Sequence, residues 1–187
     1  RSERQVNDMP RYALIVDVKK CVGCFACRVA CQNQNSLPAE TSLIRFEDHE
    51  TGKYPKVKYE VLTLQCMHCE DAPCVPVCPT NASVKDKQTG LTLVNQDKCI
   101  GCRRCVVACP YHARHYVKET GVVQGCNLCL SLLQAGQEPA CVSTCLTKAR
   151  LFGDLDDPKG DFAKLLPKAK PLRPDFKTQP TTLFIFQ

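Results

Sequence analysis

The chain has 187 residues, 44% of them hydrophobic and 24% charged, which fits a globular, soluble protein of one compact domain or two small ones. The formal net charge is +6 but no long basic run occurs, so a nucleic-acid-binding or anionic-membrane arm is not expected. No stretch approaches the ~18 apolar residues of a membrane span and no signal peptide is visible, so membrane association is expected only through a partner.

Short apolar stretches are expected to form the regular structure. Residues 12–18 alternate loosely and are rich in β-branched side chains, which predicts a strand. Residues 61–64 and 91–94 predict two more strands, the second in a hairpin whose turn is residues 88–90. A short helix is expected after the last cysteine of each cysteine group, as at residues 28–33. Elsewhere regular structure should be sparse.

Sixteen cysteines are the unusual feature of the composition. They fall into four groups of four, and none lies outside a group. Each group begins with C-x-x-C and ends with C-x-x-x-C, and only the middle gap varies. The groups are Cys21, Cys24, Cys27 and Cys31 (group one); Cys66, Cys69, Cys74 and Cys78 (group two); Cys99, Cys102, Cys105 and Cys109 (group three); and Cys126, Cys129, Cys141 and Cys145 (group four).

This spacing is typical of ligands to cubane iron–sulfur clusters, in which four iron corners each need one thiolate. In C-x2-C-x2-C-x3-C-P, three cysteines bind one cluster and the fourth binds the neighbouring cluster. Group three, from Cys99 to Cys109 and Pro110, fits this formula residue for residue. Gly23 and Gly101 allow close backbone approach to a cluster. The spacing therefore predicts four [4Fe–4S] clusters, each with three ligands from one group and one from another.

Two other cysteine chemistries are alternatives that the spacing disfavours. A disulfide scaffold pairs cysteines that are distant in sequence, and C-x-x-C neighbours have poor disulfide geometry. Zinc ribbons use two separated C-x-x-C pairs without further cysteines in the same run. Four oxidised clusters with their thiolates would add about −8, leaving a net charge of about −2. Basic residues near the groups, such as Lys98, Arg103 and Arg104, are therefore expected to compensate for buried negative clusters.

The histidines near the groups are not expected to be ligands. His68, between Cys66 and Cys69, is expected to pack near a cluster and donate a hydrogen bond. His112 and His115 are expected at the surface or beside the ligands. The chain has no G-x-G-x-x-G, P-loop or H-E-x-x-H motif and no Ser/His/Asp spacing, so a substrate site of its own is not expected.

Residues 151–187 have no cysteine and contain five prolines. This stretch is either an extended tail packed on the surface or an arm that embraces a partner subunit. Residues 181–186 are apolar enough to be buried in either case.

Several motifs together resemble the four-cluster electron-transfer subunit of the dimethyl sulfoxide reductase, or molybdopterin oxidoreductase, superfamily, most closely its polysulfide, thiosulfate and tetrathionate reductase members. The resemblance covers about residues 11 to 157. The matching stretches are residues 11–13 with Asp17, Cys21–Cys24, Cys66–Cys69, Pro73–Thr80, Cys99–Cys102, Ala108–Tyr111 and Gly153–Leu155.

The resemblance implies an α+β fold of two interlocked ferredoxin-like modules with long loops. Groups one and four would form the first module, residues 1–35 plus 119–157. Groups two and three would form the second, residues 60–118. Residues 36–59 would be a connecting insertion, and residues 158–187 a proline-rich tail that contacts a partner.

The resemblance also implies which cysteines share a cluster. Every ligand position is a cysteine, so all four clusters are expected to have four irons, unlike the three-iron cluster of some relatives. The implied ligand sets are Cys21, Cys24, Cys27 and Cys145 (cluster 1); Cys31, Cys126, Cys129 and Cys141 (cluster 2); Cys66, Cys69, Cys74 and Cys109 (cluster 3); and Cys78, Cys99, Cys102 and Cys105 (cluster 4).

Two partners are implied as well: a large catalytic subunit carrying molybdenum or tungsten on two pterins, and a quinone-binding integral membrane subunit. The clusters would relay electrons between them at the periplasmic face of the membrane, for a respiratory reductase of polysulfide, thiosulfate, tetrathionate or a related compound. The alternatives are the electron-transfer subunit of a formate dehydrogenase or hydrogenase, a free polyferredoxin, and a cytoplasmic location.

Overall fold

A computed structural model describes residues 10–186, so the first nine residues of the predicted first module lie outside the described part. Short strands and helices alternate with loops, as the sequence predicts. The strands are β1 (Tyr12–Asp17), β2 (Arg45–Lys53), β3 (Lys56–Leu64), β4 (Ser83–Lys85), β5 (Thr92–Val94), β6 (Arg114–Val117), β7 (Val122–Gly125), β8 (Arg150–Asp154) and β9 (Thr182–Ile185). The α-helices are α1 (Ala26–Gln34), α2 (Arg104–Ala108), α3 (Leu130–Gln134), α4 (Ala140–Ser143) and α5 (Gly160–Leu165).

The largest sheet is three-stranded, in the order β8-β1-β9. Strand β1 runs antiparallel to β8, with Tyr12 opposite Asp154, and parallel to β9, with Leu14 opposite Thr182. Because β1 leads into group one and β8 follows group four, the sheet brings these two distant groups together. Helix α1 of group one also packs against α4 of group four.

Three antiparallel hairpins complete the strand pairing: β2 with β3, β4 with β5, and β6 with β7. The predicted strands at residues 61–64 and 91–94 are confirmed as parts of β3 and β5, and the turn at residues 88–90 lies between β4 and β5. The predicted insertion, residues 36–59, supplies β2 and the start of β3. Its outer part, residues 48–59, is exposed on both faces.

The predicted short helix at residues 28–33 is confirmed within α1, which contains Cys31 and ends at Gln34. In the other groups the predicted position is wrong, because α2 and α4 end before Cys109 and Cys145 and no helix directly follows the last cysteine. In groups two, three and four the chain turns there instead, through a left-handed residue at the third position beyond the cysteine. The φ angle is 53° at Asn81, 51° at His112 and 53° at Lys148. These turns bring the following backbone N–H groups back toward the cysteine.

One hydrophobic core spans both predicted modules. It includes Leu14 of β1 from the first module, Leu62 and Tyr111 from the second, and Phe184 of β9. Buried cysteines of both modules line the same core. The two modules therefore share this core, and two smaller hydrophobic clusters lie apart from it.

The C-terminal stretch is folded against the rest of the chain. Helix α5 packs Phe162 on Gly153 of β8, so closely that a Cβ on Gly153 would lie 2.5 Å from the ring. Strand β9 then joins the main sheet. At the start of β9, the N–H groups of Thr181 and Thr182 donate to the carbonyl oxygen of Met67, at 2.9 and 3.1 Å. The tail thus ties group two to the sheet of the first module, and contact with a partner stays a prediction.

Candidate metal centres

The sixteen cysteines lie on loops and short helices, and none of them is disulfide-bonded in the described part of the chain. Within residues 10–186, no three side chains of the His, Cys, Asp and Glu types lie close enough to hold a single metal ion. Of the sixteen, Cys24 and Cys102 alone are exposed, and the rest are buried or half-buried.

The four C-x-x-C loops share one backbone conformation. The residue before the second cysteine is left-handed in each, with φ of 65° at Gly23, 46° at His68, 66° at Gly101 and 54° at Leu128. Successive N–H groups around such a residue form a concavity that binds anions. Left-handed backbone costs a non-glycine residue roughly 1–3 kcal/mol, which a functional loop can sustain when the surrounding structure holds it. The sequence signals this conformation only at the two glycines.

Backbone N–H groups already point at several sulfurs. In five pairs the nitrogen lies 3.2–3.4 Å from Sγ: Ala82 and Ser83 on Cys78, Ala113 on Cys109, Val123 on Cys99, and Leu128 on Cys126. Burial tends to raise the pKa of Cys78, yet the hydrogen bonds from Ser83 and its neighbours lower that pKa overall. The turn after Cys78 therefore stabilises its thiolate, the form that binds iron.

The deepest thiols have the opposite character. Burial raises the pKa of Cys31 to about 12, and the neighbouring charges of Cys141 and Cys129 add to the effect. Burial also raises the pKa of Cys69 to about 11, reinforced by Cys66 and other nearby thiolates. Such thiols keep their protons at neutral pH without a metal, so cluster binding must release protons. The donor set is thus suited to a strongly cationic iron core.

The structure brings together cysteines that are far apart in sequence. A small cavity of about 20 Å³ is lined by Cys21, Cys24 and Cys27 of group one and by Cys145 of group four. Those are the four cysteines that the resemblance assigns to cluster 1.

Two cysteines have a pKa that is raised by cysteines of other groups, which identifies further neighbours. Burial raises the pKa of Cys126 well above its ordinary value, and the charges of Cys31, Cys141 and Cys66 raise it further. The pKa of Cys66 is raised by burial and then by the thiolates of Cys74 and Cys109, against the opposing effect of Arg114. Cysteines of groups one and four therefore lie close together, as do cysteines of groups two and three, and Cys126 lies near Cys66 of the other pair.

Two buried arginines stand among the cysteines, and sequence reasoning missed both. Arg114 lies 3.4 Å from Cys74 Sγ, and Arg150 lies 3.6 Å from Cys141 Sγ. Arg103 and Arg104, which were expected to compensate for cluster charge, are instead exposed. The missed signal is a short repeat, because each buried arginine follows an alanine and stands five residues after the last cysteine of its group.

His68 is buried and does not occupy a ligand position. Its Nδ1 accepts a hydrogen bond from the N–H of Thr92 at 3.3 Å, so Nε2 carries the proton. Burial, helped by the charges of Arg114 and Lys85, lowers the pKa of His68 to about 3, so the ring is neutral. Nε2 has no hydrogen-bond partner among the described residues. Of the other two histidines near the cysteine groups, His112 is exposed and His115 is half-buried.

Four loops of inward-facing thiols and N–H donors, in a small fold of short strands and helices, define an iron–sulfur protein with four [4Fe–4S] clusters. Two family profiles, both described as a 4Fe-4S dicluster domain, match residues 57–155 and 20–82. Together they account for all four cysteine groups.

Curated relatives agree with these matches. Protein NrfC of Escherichia coli (strain K12) is 44% identical over 160 residues, which is 83% of this chain and 71% of that protein. The thiosulfate reductase electron transfer subunit PhsB of Salmonella typhi is 43% identical over 150 residues, 79% of this chain and 78% of that protein. A tetrathionate reductase subunit of Salmonella typhimurium is 36% identical over 182 residues, 94% of this chain and 72% of that protein.

The chain belongs to the four-cluster iron–sulfur electron-transfer subunits of the molybdopterin oxidoreductase superfamily. The expected family and the expected four [4Fe–4S] clusters are thereby confirmed. No helix within residues 10–186 has the length and apolar character needed to cross a membrane.

Proposed function

We propose that this subunit conducts electrons along clusters 1, 2, 3 and 4 in that order, with the ligand sets implied by the family resemblance. The cavity lined by Cys21, Cys24, Cys27 and Cys145 supports the set for cluster 1. The proximity of Cys66 to Cys74 and Cys109 supports the set for cluster 3. The two modules are interlocked because each cluster takes its fourth ligand from the other group of its pair.

The exposure of the cysteines is the observation that carries the proposed order. All four ligands of cluster 3 are buried, and so are three of the four ligands of cluster 2. The two exposed cysteines, Cys24 and Cys102, belong to clusters 1 and 4. Cys126 of cluster 2 lies near Cys66 of cluster 3, which supports an order in which these two inner clusters are neighbours. Electrons therefore exchange with partners at clusters 1 and 4.

Exposed apolar side chains surround both ends of this series. Val22, Val29 and Leu146 lie near the ligands of cluster 1 in sequence, and we name them the group-one patch. Ile100 and Val107 flank Cys102, and we name them the group-three patch. Apolar side chains at the centre of an otherwise polar surface are typical of protein–protein interfaces. One patch would contact the molybdopterin catalytic subunit and the other the quinone-binding membrane subunit.

The relatives suggest what the complete enzyme does. Two of them are described as subunits of thiosulfate and tetrathionate reductases. We therefore place this chain in a respiratory reductase of a sulfur compound, at the periplasmic face of the membrane and attached through its partner.

The test uses charge substitutions in the two patches of the native complex. Val107→Glu should slow one half-reaction, either reduction of the clusters by quinol or their reoxidation by substrate, and Leu146→Glu should slow the other. Iron content and reduction by dithionite should stay unchanged in both variants. Val57→Glu, in the exposed hairpin, is the matched control. The proposal is contradicted if both patch variants block the same half-reaction, or if neither blocks any.

A further inference from the structure

We infer that Arg114 and Arg150 set the reduction potentials of the clusters, each acting as a permanent buried cation between the two clusters of one module. Arg114 would serve clusters 3 and 4, and Arg150 clusters 1 and 2. The inference rests on the ligand sets of the proposed function.

Arg114, the first residue of β6, is 3% exposed. Its Nη2 lies 3.4 Å from Sγ of Cys74, a ligand of cluster 3, and 3.5 Å from the carbonyl oxygen of Thr92. Its Nη1 has no hydrogen-bond partner among the described residues. Burial opposes its charge, but the thiolates of Cys66, Cys74 and Cys105 raise its pKa above the ordinary value. Cys105, a ligand of cluster 4, packs in the same hydrophobic cluster as Cys74, so the guanidinium lies near ligands of both clusters of its module.

Arg150, the first residue of β8, is also 3% exposed. Its Nη1 lies 3.6 Å from Sγ of Cys141, a ligand of cluster 2. Its Nη2 is held by Thr63 Oγ1 at 2.8 Å and by Gln65 Oε1 at 3.0 Å. The side chain also lines the cavity formed by the four cysteines of cluster 1. Arg150 therefore touches the surroundings of both clusters in the first module.

Neither arginine has a carboxylate partner. Among residues 10–186 the salt bridges involve other cations, and they lie largely at the surface. A buried charge without a counter-charge is strongly unfavourable. Within the described part of the chain, the negative groups that act most strongly on these guanidinium groups are cysteine thiolates, so their natural counter-charges are the clusters.

The two positions are equivalent by internal repetition. Arg114 and Arg150 each stand five residues beyond the last cysteine of a group, directly after a buried alanine, Ala113 or Ala149. In group two the corresponding residue is Ser83. Each module thus has one arginine, supplied by the later of its two groups, and the repetition argues for the same role in both.

A one-electron reduction takes a cluster with its four thiolates from about −2 to about −3. A fixed positive charge nearby favours the more negative form, and the poorly screened interior strengthens that effect. Without the cation, both clusters of a module become harder to reduce. At a given potential, the two clusters of that module would then be less reduced, and the two clusters of the other module would be unchanged.

The test is redox potentiometry with EPR on the purified complex, with signals assigned through Cys24→Ser and Cys102→Ser. In Arg114→Met, the ratio of reduced to oxidised cluster at fixed potential should fall at least tenfold for clusters 3 and 4, about 59 mV for a one-electron couple. The potentials of clusters 1 and 2 should not shift. In Arg150→Met, the potentials of clusters 1 and 2 should fall and those of clusters 3 and 4 should not shift.

Conservative variants separate charge from structure. Arg114→Lys keeps the charge, so the ratio of reduced to oxidised cluster at fixed potential should change less than tenfold. Arg114→Gln keeps donors toward Cys74 but loses the charge, so this ratio should fall as it does in Arg114→Met. Thr63→Val removes a hydrogen bond from Arg150 and keeps the charge, so no shift is expected. Unshifted potentials in Arg114→Gln at full iron content would overturn the inference. A shift of one cluster in each module would instead show that the ligand sets are wrong.

Discussion

Substitution of Phe184 tests whether the two modules depend on one shared core. Phe184 lies in β9, is fully buried, and packs in the core that contains cysteines of both modules. Replacing a buried phenylalanine with alanine costs roughly 3–5 kcal/mol, because apolar contacts are lost and a cavity remains. Single domains are stable by only about 5–15 kcal/mol, so Phe184→Ala should raise the unfolded fraction on the order of 100-fold or more.

The assay follows the visible absorbance and EPR signals of the clusters during anaerobic denaturation with a chelator present. All four clusters should be lost in one transition at lower denaturant concentration than in the wild type. Phe186→Ala is the matched control, because Phe186 stacks on Phe184 at 6.0 Å between ring centroids but is 41% exposed. It should cost less than about 1.5 kcal/mol. Loss of clusters 1 and 2 while clusters 3 and 4 persist would refute the shared core.

Three further predictions concern the cluster loops. At Gly101, where φ is 66°, an added Cβ would clash with the carbonyl oxygen of Gly121, so Gly101→Ala should selectively abolish the EPR signal of cluster 4. At Gly136, where φ is 72°, an added Cβ would lie in open space, so Gly136→Ala should retain all four signals. Lys85→Met removes the donor that lies 2.9 Å from the carbonyl oxygen of Cys69, so chelators should extract iron from cluster 3 faster than in the wild type; equal rates would contradict this role. Burial raises the pKa of Cys31 to about 12, and cluster binding must release that proton. The fraction of iron that stays bound in the presence of a chelator, corrected for protonation of the chelator, should therefore rise from pH 7 to pH 9. A bound fraction that does not change with pH would contradict this expectation.

The features that sequence reasoning predicted are the local ones. Strand β1 and the β4–β5 hairpin follow from short patterns of β-branched residues and from a turn that ends in Gly90. The number of clusters follows from cysteine spacing, because three ligands of each cluster lie within one short segment. These features need no knowledge of contacts that are distant along the chain.

The missed features depend on distant contacts. Strand β9 pairs with β1, which lies at the opposite end of the chain. The apolar sequence of residues 181–186 predicted burial but not this pairing. Strand β2 is mostly polar, and its pairing with β3, more than its own pattern, makes it a strand. His68 and Leu128 adopt left-handed backbone that nothing in their residue type announces. Spacing alone likewise could not decide which cysteine groups pair.

The basic residues that lie near the cysteine sulfurs are not the ones that stand beside the cysteines in sequence. The sequence showed a net charge of +6, and compensation of the clusters was expected from basic residues beside the cysteines. Those residues, including Arg103 and Arg104, are exposed, and Arg103 lies on the ring of Tyr116 at 3.8 Å. The buried cations are Arg114 and Arg150, because the turn after the last cysteine directs the chain back into the core.

The central claim is that sixteen cysteines hold four [4Fe–4S] clusters in this one subunit. The most direct measurement is iron and acid-labile sulfide per chain in anaerobically purified protein, combined with EPR of the oxidised and fully reduced states. The account predicts about sixteen irons and about sixteen sulfides per chain, and reduced signals that integrate to about four spins. Bound zinc, a markedly lower iron content, or a dominant three-iron signal in fresh oxidised protein would contradict it.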